Sequence, residues 1–261
     1  MVKIEFQTQA LPSGTNERTG MWERVRIAGH SADILTPGPG PYPGAILYLH
    51  GHGGETLAEN QVFTECFEKY HLPVVSPVGG TCWWLDTPCH EFDVQQTPMQ
   101  FLRQDLTAWI EDRWNMAAPY IALLGVSMGG QGALNLAYRH ARQFPIVAAL
   151  SPAIDFDQIY GKGFGVEELF PDAEAARQET VVLHLHPLNW PRHQFFCSDP
   201  QDFLWHTGSE RLASKLMSSG VPFQRDLTTS HGGHGWRYFN AMADRVVHFL
   251  AEALQKERES A

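Results

Sequence analysis

The chain has 261 residues, 43 % of them hydrophobic and 18 % charged, and a formal net charge of −10 from 19 basic and 29 acidic side chains. Such a chain can bury a core of its own, which excludes a disordered protein and removes any need for disulfide or metal staples. The acidic balance also argues against nucleic acid or an anionic membrane as a partner, because both demand basic patches.

Four cysteines (Cys66, Cys82, Cys89 and Cys197) are too few and too scattered for a disulfide framework. Cys82 and Cys89 share one segment, and free thiols in a reduced compartment are the simpler reading. The first residues, MVKIEFQTQALPSG, lack the apolar core of a signal peptide, and no stretch is long and apolar enough to span a bilayer. A cytoplasmic protein of one domain over residues 1–261 is the expectation.

Two short strands are expected first, over 22–27 and 32–35, paired as an antiparallel hairpin. A Pro- and Gly-rich connector over 37–44 follows, then the continuous apolar run Ala45-Ile46-Leu47-Tyr48-Leu49. Runs of that kind mark strands buried on both faces, as in parallel sheets. A helix over 57–70 and a strand over 73–78 come next. Thr97-Pro98 then opens a helix whose apolar stripe reaches Ile110. A strand is expected over 120–126, a helix over 128–142 and a strand over 146–150. Residues 155–171, with three glycines and no clear period, read as a loop or small cap, and 180–188 as strand or helix. A strand over 194–198, a helix over 208–219, a strand over 222–227 and a closing amphipathic helix over 236–255 complete the chain. This alternation predicts an α/β fold, a mostly parallel sheet with helices on both faces.

The strand at 120–126 runs directly into Gly125-Val126-Ser127-Met128-Gly129 and then into a helix. A nucleophilic serine needs such a strained strand-to-helix turn to raise its hydroxyl above the sheet, with glycines on either side where a Cβ would clash. A phosphate-binding turn is the competing reading, but the P-loop lysine and the dinucleotide-binding glycine spacing are both absent. Ser127 is therefore the expected nucleophile. The amide of Met128 and that of His52, in the turn His50-Gly51-His52-Gly53-Gly54 after an earlier strand, are the expected oxyanion donors. His50 and His52 could instead be a metal-binding pair completed by His231 and His234, or by His184 and His186. No carboxylate is placed to finish that ligand set, so no metal and no cofactor are expected.

In this order of elements the general base lies near the C-terminus, and the glycine-flanked His234 is the expected residue, with His231 as the alternative. The acid should follow the strand at 194–198, which leaves Asp202 or Asp199. Trp83 and Trp84, in a polar loop, are expected as a substrate-facing wall, with 188–191 adding to the rim. Glu91 and Asp93 read as solvated or turn residues.

With these residues in place, the chain resembles the esterase branch of the α/β-hydrolases that holds esterase D (S-formylglutathione hydrolase), feruloyl esterases and mycolyltransferases. The resemblance covers roughly residues 45–250. It is carried by Leu49-His50-Gly51, Gly125-Val126-Ser127-Met128-Gly129-Gly130, Asp202-Phe203-Leu204 and Gly232-Gly233-His234-Gly235-Trp236-Arg237-Tyr238. It implies an α/β-hydrolase fold, a triad of Ser127, Asp202 and His234, and hydrolysis of a small-molecule carboxylic ester through an acyl-enzyme. A thioesterase or acyltransferase would use the same groups, and a metal-dependent hydrolase or a non-catalytic binding module is the remaining alternative. The four residues Ser198-Asp199-Pro200-Gln201 depart from the family's spacing before the acid, which keeps Asp199 open.

Overall fold

The computed structural model describes residues 21–260. The reading of the N-terminus as lacking a signal peptide lies outside the described residues. Eight strands form one sheet: β1 (Trp22–Ile27), β2 (His30–Leu35), β3 (Ala45–Leu49), β4 (Val74–Pro77), β5 (Ile121–Val126), β6 (Ile146–Leu150), β7 (His193–Cys197) and β8 (Gln224–Asp226). Their order is β1-β2-β4-β3-β5-β6-β7-β8. The β1–β2 and β2–β4 pairs are antiparallel. The other pairs, from β4–β3 across to β7–β8, are parallel.

The apolar runs explain the burial. Every residue of β3 and β5 is buried, so both faces of the central strands must be covered. The pleat sends alternate residues to opposite faces. Ala45, Leu47 and Leu49 join one core and Ile46 and Tyr48 the other. Helices α1 (Gln61–Lys69) and α9 (Trp236–Glu259) cover the Tyr48 face. The Leu47 face is covered by the run α2 (Pro98–Phe101), a π-helical stretch Leu102–Leu106 and α3 (Thr107–Trp114), together with α4 (Met128–Arg139) and α8 (His206–Ser218). Among the described residues, no helix is long and apolar enough to cross a membrane.

Several element boundaries differ from the sequence expectation, each for a local reason. The helix expected from 57 begins at Gln61, because the Asn60 side chain caps it by accepting from the Phe63 amide at 3.1 Å. The helix opened by Thr97 carries a full capping box with Gln100 and continues past Ile110 to Trp114, where Asn115 turns left-handed at φ 55°. Residues 180–188 are neither strand nor long helix but a 3-10 turn, Val181–Leu183, followed by a His186–Asn189 bridge. Between β6 and β7 the chain forms a small cap with three short helices, α5 (Phe156–Ile159), α6 (Val166–Leu169) and α7 (Ala173–Gln178).

Among the described glycines, the two with the tightest backbone neighbours lie where α4 starts. A Cβ on Gly129 would fall 1.9 Å from the Leu49 carbonyl oxygen, and one on Gly125 would fall 2.1 Å from the Gly129 oxygen. Backbone opposes both, so neither neighbour can swing aside. A Gly129→Ala variant is therefore expected to lose about 3 kcal/mol of stability, read as a lower denaturant midpoint at unchanged slope.

Candidate active site

Ser127 occupies the turn between β5 and α4 at φ 53°, ψ −119°, a left-handed conformation that an L-residue adopts only when its surroundings enforce it. Its amide donates to the Leu150 carbonyl at 2.9 Å, and its carbonyl accepts from Gln131 and Ala153. These bonds fix the backbone on three sides and leave the hydroxyl projecting from the carboxyl edge of the sheet, where ligands gather in open α/β folds.

His234 comes to it from the loop between β8 and α9. Its Nε2 lies 3.0 Å from Ser127 Oγ, and its Nδ1 lies 2.8 Å from Asp202 Oδ2. Asp202 has no exposed side-chain surface, and its other oxygen accepts from the Leu204 and Trp205 amides, each at 3.1 Å. An ionised carboxylate only accepts, so Nδ1 carries the proton and Nε2 offers its lone pair to the serine hydroxyl. The His234 side chain remains 25 % exposed, enough for water and substrate to reach it.

Asp199, the alternative acid, does something else. Its carboxylate accepts from Gln201 N (2.8 Å), Ser230 Oγ (2.8 Å), His231 N (2.5 Å) and Gly233 N (2.9 Å). Desolvation alone would raise its pKa, but these hydrogen bonds outweigh it and hold the group at about 2. Asp199 thus clamps the loop that carries His234 and does not touch the imidazole's partner position. His231, the alternative base, gives its amide to this clamp while its residue stays exposed.

The turn after β3 lies beside Ser127: a Cβ on Gly51 would sit 3.4 Å from Ser127 Cβ. Met128 opens α4, where helix geometry leaves the first amides without an intrahelical acceptor. His50 is fully buried, and both ring nitrogens are committed. Nε2 accepts from the Gly79 amide at 2.9 Å, which leaves Nδ1 to donate to the Gly51 carbonyl at 2.7 Å. Burial pushes its pKa down and keeps the ring neutral. The metal-pair reading is overturned on this ground. Its other proposed members are spent too: His184 Nε2 pairs with Arg139 at 2.8 Å, and His186 Nδ1 accepts from the Leu188 amide at 3.1 Å.

The substrate wall expected of Trp83 and Trp84 needs correction. Trp84 is completely buried. Its ring lies 2.5 Å from where a Cβ on Gly79 would stand, and its Nε1 donates to the His50 carbonyl at 3.1 Å. It is a wedge under the turn that holds His50 and His52. Trp83 is also buried, and it donates through Nε1 to the Phe164 carbonyl in the cap at 3.0 Å. Both residues sit at φ 56°, in a tight turn that tucks both rings inward, so the expected substrate-facing wall is replaced by packing under the loop. Residues 188–191 do not join as a unit either, since Asn189 lines a cavity with Arg139 at the far end of α4. Glu91 closes the Trp83 loop by accepting from the Thr81 amide and hydroxyl at 2.8 and 2.6 Å. The four cysteines are buried free thiols.

Two residues that sequence reasoning missed stand nearer the chemistry. Phe164, from the cap, meets the His52 ring edge-on at 5.8 Å and the Trp205 ring at 6.0 Å. Trp205 in turn meets His234 at 6.4 Å. An aromatic wall thus runs from the turn holding His52 to His234. The motif Asp202-Phe203-Leu204-Trp205 held a signal for Trp205; Phe164 had none, because its position depends on a cap without periodicity.

The "Diacylglycerol acyltransferase/mycolyltransferase Ag85A" of Mycobacterium tuberculosis H37Rv is 25 % identical over 229 residues, covering 73 % of this chain and 66 % of that protein. The chain thus spans just under two thirds of the length of that curated relative. Ag85C of Mycobacterium leprae is 30 % identical over 132 residues, 47 % of this chain and 39 % of the relative. Among solved structures, an S-formylglutathione hydrolase from Agrobacterium tumefaciens superposes with a TM-score of 0.73 at 15 % identity, covering 92 % of this chain and 98 % of that one. A ferulic acid esterase does so with a TM-score of 0.69 at 18 % identity, covering 89 % and 99 %. These neighbours share the α/β-hydrolase fold with this chain. The model of the family described as "Putative esterase" matches residues 36–248, most of the chain, and the protein belongs to that Esterase family.

Proposed function

We propose that the protein is a serine carboxylic ester hydrolase, with Ser127 as nucleophile, His234 as general base and acid, and Asp202 as the carboxylate that orients the imidazole. The observation that carries the reading is the unbroken relay Asp202–His234–Ser127, at 2.8 and 3.0 Å, ending on a serine held in a left-handed turn. Membership of the Esterase family supports it.

The chemistry follows from the proton positions. As Ser127 Oγ attacks the ester carbonyl carbon, His234 Nε2 takes the hydroxyl proton, and the imidazolium is stabilised by the Asp202 carboxylate. The amides of His52 and Met128 would hold the tetrahedral oxyanion, and removing one such donor costs about 10²–10³ in kcat in related machinery. His234 then protonates the leaving alcohol, which departs and leaves the acyl group on Ser127. Water, deprotonated by His234, cleaves the acyl-enzyme. The aromatic wall of His52, Phe164 and Trp205 would face the substrate.

A fluorophosphonate probe is expected to label the wild-type protein once per chain, at Ser127, and a folded Ser127→Ala variant not at all. Loss of p-nitrophenyl ester hydrolysis should accompany the second result; labelling elsewhere would end the assignment.

The two aspartates are predicted to separate by readout. Asp202→Asn should leave the fold intact and lower kcat by about 10⁴, as expected when the imidazole loses its tautomer control. Asp199→Asn should mainly reduce stability, because four donors lose their ionised acceptor. Since the folded pKa of Asp199 is depressed to about 2, its contribution is full above the unfolded value of about 3.9 and is lost as pH falls toward 2. Chemical denaturation from pH 6 to pH 2 should therefore show wild type and Asp199→Asn converging at the acid end.

A further inference from the structure

At the end of α4 remote from Ser127, a cavity of about 360 Å³ is lined by Arg103, Arg139, His140, Ala141, Arg142, Gln143 and Asn189. The 12 residues of α4 separate it from the nucleophile by about 17 Å at the helical rise per residue. Three guanidinium groups around one cavity are unusual in a chain with ten more acidic than basic side chains (29 against 19).

Two of the three are held by neighbours rather than by chance. Gln143 spends both ends of its amide on Arg103: its Oε1 accepts from Arg103 Nε at 3.2 Å, and its Nε2 donates to the Arg103 carbonyl at 2.9 Å. The terminal nitrogens of Arg103 remain unengaged among the described residues. Arg139 is braced by Asn135 Oδ1 at 2.6 Å, by His184 Nε2 at 2.8 Å and by the Glu179 carboxylate. Glu179 is thus the one carboxylate paired within the cluster, and it is paired with Arg139; neither Arg103 nor Arg142 has an ion-pair partner among the described residues. The His140 ring feels the result. Burial, followed by the charge of Arg103, brings its pKa down to about 4; Asp86 pulls the other way, and Arg139 adds the weakest downward push.

The helix dipole explains part of this arrangement, since a cation near the last carbonyls of α4 is favourable. It accounts for Arg139, at the last residue, and for Arg142 just beyond. It does not account for Arg103, which reaches in from the π-helical stretch of a different element and is fixed there by Gln143. Like charges held together at a cavity raise the energy of the empty site, and a multivalent anion relieves it.

We propose that this cavity is an anion site for a phosphate or polyphosphate group. The terminal nitrogens left on Arg103 and the unpaired guanidinium of Arg142, beside the charge of Arg139, suit an oxyanion with three or more free oxygens, whereas a carboxylate is satisfied by one fork. Asn189 belongs to the segment that returns from the cap, and Arg139 is bonded to Glu179 and His184 in the same segment. An anion here would therefore tie the cap to α4, the helix that begins at Ser127.

The test uses the full chain and pyrophosphate, in buffers matched to sodium chloride for ionic strength. Pyrophosphate at 10 mM should raise the thermal midpoint by about 3 °C over the chloride control, with succinate at the same concentration giving less than half of that. Arg142→Gln, which removes an exposed side chain without partners, should cut the shift at least twofold, and Arg103→Gln/Arg142→Gln should abolish it. Arg26→Gln, at an arginine in β1 on the far edge of the sheet, should keep it whole. By NMR, the His140 ring should titrate at a higher pH with pyrophosphate bound. No shift, an equal shift with succinate, or a shift unaltered in Arg142→Gln and in the double variant would overturn the proposal. Since none of these readouts depends on ester turnover, they stand apart from the assignment of Ser127.

Discussion

Gly129 presses so closely on the end of β3 that its missing side chain is the constraint on which the site rests. With 1.9 Å between a would-be Cβ and the Leu49 oxygen, the first turn of α4 lies flush against the sheet. That contact leaves the chain one residue in which to turn from β5 into α4, and Ser127 must take it at φ 53°. Such a sparsely populated backbone conformation costs about 1–3 kcal/mol. It is offset by α4, whose residues from Met128 through Tyr138 are all buried. The same contact brings the turn containing Gly51 alongside the serine, so one packing decision sets both Ser127 and the turn beside it. Trp84 extends the logic downward. It fills the space that Gly79 and Gly132 leave open and bonds the His50 carbonyl, so the turn cannot relax away from the nucleophile.

On the other side of the site, precision comes from carboxylates that do no chemistry. The loop carrying His234 is held at its start by Asp226, which accepts from the Thr228 and Thr229 amides at 3.0 Å each and pairs with Arg245. Further along, Asp199 accepts from His231 and Gly233. Gly233 sits at φ 85°, which a side chain would resist, and there its amide is turned into the Asp199 carboxylate. A histidine on a loosely held loop would spend little of its time within reach of the serine. Buried, hydrogen-bonded acids on both sides supply the rigidity that the glycines alone would forfeit.

This division of labour explains what could be read from the chain and what could not. Ser127, His234 and Asp202 were legible because each lies in a motif with a stereochemical reason: a strand entering a helix, a histidine after the last strand, an acid after the strand before it. Their mutual distances were not legible, yet alternating buried strands left few places for them to be. The order of Asp199 and Asp202 was hard to settle because both follow β7 within five residues, and the direction each faces depends on the turn between them. Trp83 and Trp84 were misread for a related reason. A polar loop suggests exposure, but two consecutive left-handed residues fold both rings inward. His50 next to His52 looked like a ligand pair, although a β-strand sends alternate residues to the same side only while it remains extended. Here the turn begins at once, and His50 spends both nitrogens on the backbone. The cap was the least legible part, since Phe164 is placed by packing against Trp205, His52 and the Trp83 indole rather than by any local pattern.

The balance between hydrolysis and acyl transfer depends on what reaches an acyl group on Ser127. Transfer and hydrolysis share every step up to that intermediate, and the base that deprotonates water would deprotonate an alcohol equally well. Water is the more abundant nucleophile, so transfer requires an acceptor bound with high effective concentration, or a closed site that keeps water out. The wall built by Phe164 and Trp205 covers one flank of the site. His234 nevertheless keeps a quarter of its side chain in solvent. An imidazole open in this way receives water without assistance. With Ser127 and His234 in the roles proposed for them, an imidazole open to solvent favours hydrolysis, and transfer would demand an acceptor able to cover His234 itself.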